Sequence, residues 1–510
     1  MKHLLIMAAL WAASFAVSAD TFYVRTDGGT SSQCTGLADA AYDGAGTGEA
    51  CAYSTPAIGV ANIAGGDTLI IKNGSYEITT AIQPPSGSAS AYTRILGEQH
   101  GACRAKPELW GSGGVNRLIT LSNRSFVEVA CLEITDHADC AYQHYNSTHA
   151  CNSSDAYAQN GIYAYSALEI ILRDLNIHGL AANAYKGGKV ENFTLERVRM
   201  VANGDAGFHG ASTTSADDSF SGTILLKNVE IAWNGCTEDY PSLAIIACYS
   251  EIGSGYGDGL GTKDTSGTWI IEDSYVHHNT SDGLDLRYTK LPGAEVIIRR
   301  SWFYNNAGNQ VKAWGKFTME NSFVNSYCGY FGTRYGQAID PDTGDLATTP
   351  ETCRASGNAV IVIPVASSTP NIVLRYNTIA GHSLALVQFA EPTPNTSVAT
   401  SARLENNVFV GGTTYNNTGL PKFTSNSAEI TIGLYNNHVY NASSVSCTAS
   451  QCVTTNPLLR NQTISAFDPR PQSGSPVLGA GNTSYTTPAT DIMGRPRPAA
   501  PARGAFEYAP

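Results

Sequence analysis

A short motif recurs along this 510-residue chain and restricts the folds open to it. Residues 172–177, 195–200 and 271–276 are three of nine copies, in each of which an apolar residue opens and closes the motif around mostly polar positions. The third residue of each copy falls at 174, 197, 228, 273, 300, 321, 376, 406 and 436, so most copies are 21–31 residues apart. This period, with β-type alternation and no long helical pattern, predicts a solenoid of stacked β-strand rungs. A β-propeller stays open as an alternative, although its blades need longer periods.

The two ends of the chain indicate caps on this solenoid. Ser54, Thr55 and Pro56 open a short predicted helix that runs to Ile63, with Ser54 as its N-cap. The strand after Gly66 is predicted to be the first rung strand, and the chain closes in Pro/Gly-rich coil. Both ends resemble those of secreted right-handed parallel β-helix proteins. We therefore predict an all-β, right-handed parallel β-helix with a short N-terminal capping helix and disulfide-closed loops.

The first residues predict an exported protein. Lys2 and His3 precede an apolar run, and small residues at 17–19 form a cleavage-type site, so residues 1–19 are predicted to be a signal peptide. Residues 20–510 are predicted to form one domain, with an N-terminal cap over about 20–66 and a C-terminal capping coil over about 455–510. No second apolar run approaches the roughly 20 residues of a membrane span, so we expect no membrane insertion. The predicted location is extracellular, or periplasmic in a bacterium.

Twelve cysteines agree with export. Most of them flank polar loops, and the sequence itself leaves their connectivity open. The pairs favoured by proximity are Cys34/Cys51, Cys103/Cys131, Cys140/Cys151, Cys236/Cys248, Cys328/Cys353 and Cys447/Cys452. The segments 236–248 and 328–353 lie in the two longest repeat spacings, which predicts loops inserted into rungs.

Composition narrows the partners. The net charge is −12, from 31 basic and 43 acidic residues, which argues against nucleic acid because such binding needs a basic surface. We expect a monomer. Asn203, Asn234, Asn279 and Asn306 each lie six residues after a repeat marker, which predicts a ladder of stacked amides at one turn.

Chemistry-bearing residues concentrate on three neighbouring rungs. Stacked rungs are about 4.8 Å apart, so Asp258 and Asp282 are predicted neighbours, with Asp285 beside them and Lys312 on the next rung. Three close carboxylates repel one another unless a positive charge lies among them. Ca²⁺ is the expected occupant because it prefers oxygen ligands.

Lys312 is the candidate general base. A neighbouring Ca²⁺ would lower the pKa of this lysine toward the working pH. A lysine base and a metal ion suit β-elimination from a uronic acid polymer: the metal binds the C6 carboxylate, the lysine removes the C5 proton, and the C4–O bond breaks. We therefore expect an acidic polysaccharide (uronan) as substrate.

These residues resemble the site of the family 9 pectate lyases. The resemblance covers about 55 residues, 258–315, in which residues 281–287 precede residues 308–315 by one rung. It implies that Asp258, Asp282 and Asp285 are calcium ligands and that Lys312 is the base. The sequence departs from the family in having Ser281 where an Asp is usual, and Gln310 and Val311 where the family tends to have Gly and Phe.

Other side chains are candidates for substrate binding. Arg287 and Lys263 occupy equivalent positions on neighbouring rungs and could hold adjacent carboxylates. Trp314 could stack on a sugar ring, and His209 and Lys186 fall in the column of Lys312 on earlier rungs.

Three other functions remain compatible with the fold. A β-helix glycoside hydrolase would use two of the aspartates as acid and base. A uronan C5-epimerase would share the proton abstraction, and a carbohydrate-binding or adhesive β-helix would need no base. The predicted function is calcium-assisted polysaccharide lysis of a pectate-like or polygalacturonate-like chain.

Overall fold

The computed structural model describes most of the chain in twelve segments. They are 19–111, 114–142, 149–152, 157–211, 220–248, 257–327, 329–331, 357–365, 371–390, 400–412, 419–426 and 430–509. The predicted signal peptide, apart from Ala19, and the Cys328/Cys353 pair therefore lie outside the described residues.

Short strands account for nearly all regular structure in these segments. The helix α1 is Pro56–Asn62, and a single 3-10 turn covers Ile464–Ala466. The strands up to residue 201 are β1 (Thr21–Gly29), β2 (Thr68–Ile71), β3 (Ser75–Ile78), β4 (Thr93–Gly97), β5 (Glu108–Gly111), β6 (Arg117–Thr120), β7 (Ser125–Ala130), β8 (Glu133–Asp136), β9 (Asn160–Arg173), β10 (Asn176–His178), β11 (Asn183–Glu196) and β12 (Arg199–Val201). Those up to residue 326 are β13 (Phe208–Gly210), β14 (Ser221–Lys227), β15 (Glu230–Ala232), β16 (Cys236–Asp239), β17 (Ala244–Cys248), β18 (Leu260–Thr262), β19 (Thr268–Glu272), β20 (Tyr275–His277), β21 (Leu284–Leu286), β22 (Glu295–Arg299), β23 (Trp302–Tyr304), β24 (Val311–Trp314), β25 (Lys316–Glu320) and β26 (Phe323–Ser326). The remainder are β27 (Val360–Ile363), β28 (Ile372–Arg375), β29 (Thr378–Gly381), β30 (Ala385–Phe389), β31 (Thr400–Glu405), β32 (Val408–Gly411), β33 (Lys422–Asn426), β34 (Ile430–Tyr435), β35 (Asn437–Tyr440), β36 (Cys452–Val453), β37 (Leu459–Asn461) and β38 (Asp468–Pro471).

The strands stack in parallel on three faces, which confirms the predicted parallel β-helix. Face A includes the series β14, β19, β22 and β25; face B includes β13, β18, β21 and β24; face C includes β15, β20, β23 and β26. Each rung therefore contributes one strand to each face, as β18, β19 and β20 do. The long strands β9 and β11 cross from face B to face A without a break, because each pairs with strands of both faces.

The repeat markers lie at the turn from face A to face C. All nine marker residues have a positive φ, between 47° and 58°, as in Asp273 (53°) and Asn406 (55°). A left-handed residue reverses the chain in very few positions, and Asn and Asp tolerate it better than most side chains. The recurring motif thus reports a strand that ends in a tight bend.

The predicted asparagine ladder holds the turn from face C to face B. Asn203 donates through Nδ2 to Asn234 Oδ1 (2.9 Å), Asn234 to Asn279 (2.8 Å), and Asn279 to Asn306 (2.8 Å). All four side chains are fully buried. The ladder ends on Gln310 Oε1, which accepts from Asn306 Nδ2 at 2.8 Å, so Gln310 has a structural role.

Both ends differ in detail from the prediction. The N-cap of α1 is Thr55, whose hydroxyl accepts from the backbone N of Ile58, because Pro56 is the first helical residue and the cap must precede it directly. The first strand of the β-helix is β1, inside the predicted cap, since Thr21–Val24 pair with β2. At the far end the coil runs back along the marker turns, where Asn406 Nδ2 donates to Asn482 O and Gly504 N donates to Asn406 O.

Five predicted disulfides are present among the described residues, which contain no free cysteine. Cys236–Cys248 closes the hairpin β16–β17, confirming one inserted loop. Glu238 of this hairpin accepts a hydrogen bond from the buried His178 (2.5 Å), which also contacts Glu133 (2.9 Å). Burial alone would lower the pKa of His178, but the two glutamates raise it to about 9, so the hairpin is anchored by an ion pair. Within the described residues no helix has the length and apolar character needed to cross a bilayer.

The asparagine ladder should carry a large share of local stability. In Asn279→Ala, the Nδ2 and backbone N–H of Asn234 lose their acceptor, and Ile231 O loses its donor. We expect a loss of roughly 2–4 kcal/mol in the free energy of unfolding, measured by urea titration. The exposed Asn73, changed to Ala, should alter it by less than about 0.5 kcal/mol. Equal effects of the two substitutions would contradict the ladder's role.

Candidate active site

The candidate residues of Lys312's column lie on the outer surface of face B. The cross-strand register aligns Lys186 with His209, His209 with Gly261, Gly261 with Asp285, and Asp285 with Lys312. The residue before each of them is a fully or almost fully buried core side chain, such as Phe208, Leu284 or Val311. Because successive strand residues alternate between faces, the column points away from the core. The structure therefore brings His209 and Lys186 into the same groove as Lys312.

Asp258 and Asp282 belong to a second ladder at the start of the face B strands. In this ladder the side-chain Oδ1 of one rung accepts the backbone N–H of the equivalent residue on the next rung. Asp258 Oδ1 accepts from Asp282 N (3.0 Å), Asp282 Oδ1 from Asn309 N (2.7 Å), and Asn309 Oδ1 from Asn358 N (2.9 Å). Each aspartate thus uses one oxygen to hold the fold and keeps Oδ2 for other contacts.

Lys312 lies among the carboxylates. Its ammonium donates to Asp282 Oδ2 and lies 3.6 Å from Asp285 Oδ2. Burial alone would lower the pKa of Lys312, but Asp282 and Asp285 outweigh it, so the pKa is raised. This is opposite to the lowered pKa predicted for a lysine beside Ca²⁺, because only protein charges surround Lys312 here.

Asp258 completes the cluster from the preceding rung. Burial, with the nearby charges of Asp282 and Asp285, raises the pKa of Asp258 well above the usual range. Ser281, which stands where the similar family has an Asp, donates through Oγ to Asp258 Oδ1 at 2.5 Å. Ser281 therefore supports a neighbouring carboxylate.

Gly261 leaves open space beside Asp258. A Cβ at this position would lie 3.1 Å from Asp258 Oδ2. The free oxygen of Asp258 therefore faces a notch in the column, between His209 and Asp285. The sequence prediction did not include Gly261, although a glycine between two polar positions of one column is the signal that could have identified it.

Basic side chains border the cluster on one side. Arg287 Nε lies 3.4 Å from Asp285 Oδ2, and its guanidinium lies 4.8 Å from the centre of the Tyr288 ring. The ammonium of Lys263 lies 5.9 Å from the same ring. Tyr288, which sequence reasoning missed, thus holds the two predicted carboxylate-binding residues near each other.

Trp314 lies at the same border. It is half-buried and stands two residues after Lys312 on β24, so both side chains face outward. Its backbone N receives the Thr289 hydroxyl as acceptor at 3.3 Å. The indole therefore occupies the outer surface beside Lys312, where a sugar ring could stack.

The cluster was tested for its fit to calcium. Among the described residues no group of three or more His, Cys, Asp and Glu side chains is arranged around a common metal position. The donor types fit nonetheless, since Asp258, Asp282 and Asp285 offer the carboxylate oxygens that a hard cation prefers. Binding would require the ammonium of Lys312 to leave Asp282 Oδ2.

Comparisons with known proteins returned only weak structural similarity. No protein-family model matches the chain, and a search of curated proteins found no match. The chain is similar to the pectate lyase Pel9A, with 14% identity, a TM-score of 0.44, and coverage of 97% of this chain and 98% of that one. The PL6 family alginate lyase AlyGC has 12% identity and a TM-score of 0.35, over 86% of this chain and 59% of the other. The catalytic domain of a GH87 alpha-1,3-glucanase has 12% identity and a TM-score of 0.34, over 72% and 64%. These similarities are too weak to support an activity, and the fold rests on the strand pairing above.

Asp282 should control the protonation of Lys312. Asp282→Asn keeps Oδ1 for the N–H of Asn309 but replaces the Oδ2 that accepts from Lys312, so the pKa of Lys312 should fall. The measurement is the pH dependence of Lys312 acylation by an amine reagent, followed by mass spectrometry in metal-free buffer. Lys312 should react at lower pH in the variant. The control is Asp264→Asn, which removes the partner of Lys290 (3.0 Å) and should leave the Lys312 profile unchanged. An unchanged profile in Asp282→Asn would refute the assignment.

Proposed function

We propose that this protein is a secreted polysaccharide lyase that cleaves a pectate-like uronan by calcium-assisted β-elimination. The observation that carries the proposal is the position of Lys312, a lysine held beside Asp282 and Asp285 with Asp258 one rung away. The resemblance of residues 258–315 to the family 9 pectate lyases supports the same assignment. The disulfides fit an oxidising compartment, which supports export.

Each group has a defined role in this proposal. Asp258, Asp282 and Asp285 would hold Ca²⁺, which supplies a positive charge for the substrate carboxylate and acidifies the proton at C5. Lys312 Nζ, once deprotonated and released from Asp282, accepts the C5 proton. Electrons of the broken C5–H bond form the C4–C5 double bond as the C4–O bond breaks. Arg287 and Lys263 lie where they can bind neighbouring carboxylates, and Trp314 where it can stack on a sugar.

One observation favours a second candidate, a glycoside hydrolase. The raised pKa of Asp258 describes a protonated carboxyl beside two carboxylates, which is the arrangement that a general acid and its partner need. A hydrolase would generate new reducing ends without an unsaturated product. The lyase is preferred because the hydrolase leaves Lys312 without a chemical role.

The test compares cleavage by the wild-type protein and by two lysine variants. With calcium, the wild type should release unsaturated oligouronates from polygalacturonate, detected by ultraviolet absorbance, and a chelator should stop the release. Lys312→Ala should lower kcat by about 10²–10⁴-fold because it removes the base. Lys316→Ala is the matched control, since this exposed lysine pairs with Glu295 on face A and should keep full activity.

The possible results separate the candidates. Reducing ends without ultraviolet absorbance would overturn the lyase in favour of the hydrolase. Full activity in Lys312→Ala would remove Lys312 as the base. Binding of uronans without any cleavage would favour the non-catalytic alternative.

A further inference from the structure

A second carboxylate site lies in the same groove, one rung before Asp258. Asp205 is 7% exposed, and its Oδ1 has no hydrogen-bond partner. Its backbone carbonyl accepts from Gly257 N at 2.7 Å, which places Asp205 directly beside the rung of Asp258. A buried carboxylate oxygen without a donor costs free energy, so its retention needs an explanation.

The oxygen ladder of face B does not use Asp205. Asn183 Oδ1 accepts from Ala206 N (3.3 Å), but Ala206 has no side-chain oxygen to continue the ladder toward Asp258. Asp205, the preceding residue, has a hydrogen bond from the Asn183 side chain on its other oxygen. Its free Oδ1 is thus an acceptor that serves no structural contact among the described residues.

Positive groups surround this carboxylate. Burial raises the pKa of Asp205 to about 7 against the opposing influence of Lys186. Burial also lowers the pKa of His209 to about 4, and Lys186 and Lys263 lower it further. His209 is therefore neutral at physiological pH, with two ammonium groups near it. The three side chains offer two cations, a neutral imidazole and, with Asp205, one unused acceptor.

We propose that Asp205, Lys186 and His209 form a subsite that binds one uronate residue of the polysaccharide, on the N-terminal side of the reaction centre. Asp205 Oδ1 accepts a sugar hydroxyl, and the ammonium of Lys186 pairs with the carboxylate of that sugar, with Lys263 near it. His209 offers its ring for a further hydrogen bond. This inference rests on the proposed uronan substrate. Three rung spacings, about 14 Å, separate the rungs of Lys312 and His209, so only a chain of several sugars reaches both.

The test measures equilibrium binding rather than turnover. Oligogalacturonides of increasing length are titrated by calorimetry into the Lys312→Ala protein with and without Asp205→Asn. In the variant, the amide oxygen keeps the contact with Asn183, and an NH₂ donor replaces the free acceptor, so the fold should persist. For long chains the affinity should fall about tenfold, or about 1.4 kcal/mol, while short chains should bind equally. Lys186→Ala should weaken long chains in the same way, and more strongly at low salt.

The control is a buried carboxylate without a free oxygen. Asp136 is 2% exposed, and its two oxygens accept from Ala138 N (3.1 Å) and Ala158 N (2.5 Å). Asp136→Asn should change thermal stability but not the dependence of affinity on chain length. Equal affinity of Asp205→Asn and its parent at every length would overturn the subsite, as would equal weakening at every length.

Turnover by the wild-type protein separates the two proposals. If unsaturated products form but Asp205→Asn binds long chains normally, the subsite fails and the lyase stands. If no unsaturated product forms but long uronans bind in an Asp205-dependent way, the lyase fails and the subsite stands.

Discussion

The face B ladder joins the fold to the chemistry. A stack of parallel rungs must satisfy the first N–H of each face B strand, and the side chain of an Asn or Asp on the preceding rung does so through a single oxygen. Where the residue is Asn, the second atom is an amide nitrogen. Where it is Asp, the second atom is a charged oxygen. Asp258 and Asp282 therefore add negative charge to a position that the fold already requires.

That charge explains the position of Lys312. Two ladder aspartates and Asp285 would repel one another, and the ammonium of Lys312 compensates the charge in the protein alone. A cation that displaced the lysine would take over the same compensation and leave the amine free as a base. One cluster can thus bind a metal ion and prepare a base, because both depend on the same oxygens.

Much of the architecture was predictable because it is repetitive. The marker motif, the cysteine pairs and the amide ladder from Asn203 to Asn306 recur at regular offsets, so local patterns determine them. The grouping of Asp285 with Lys312 followed from aligning two rungs separated by an ordinary spacing. Gln310 had no such pattern, and its role as the end of the ladder depends on a contact within its own turn.

The missed features depend on register across insertions or on single contacts. Asp205 precedes Asp258 by 53 residues and stands one position before the aligned series, so nothing in its own rung marks it. The return of the C-terminal coil along the marker turns depends on contacts with residues about 76 positions earlier, as between Asn406 and Asn482. The pKa of Lys312 could not be predicted either, because it depends on which positive charge lies among the carboxylates.

The central claim is that Lys312 removes a proton from a uronate bound at the carboxylate cluster. The most direct test is the initial rate of unsaturated product formation from polygalacturonate that carries deuterium at C5, compared with unlabelled polymer in the presence of calcium. The account predicts slower release from the deuterated polymer, a primary isotope effect, and loss of product in Lys312→Ala. Cleavage of both polymers at one rate, with reducing ends and no unsaturated product, would contradict it.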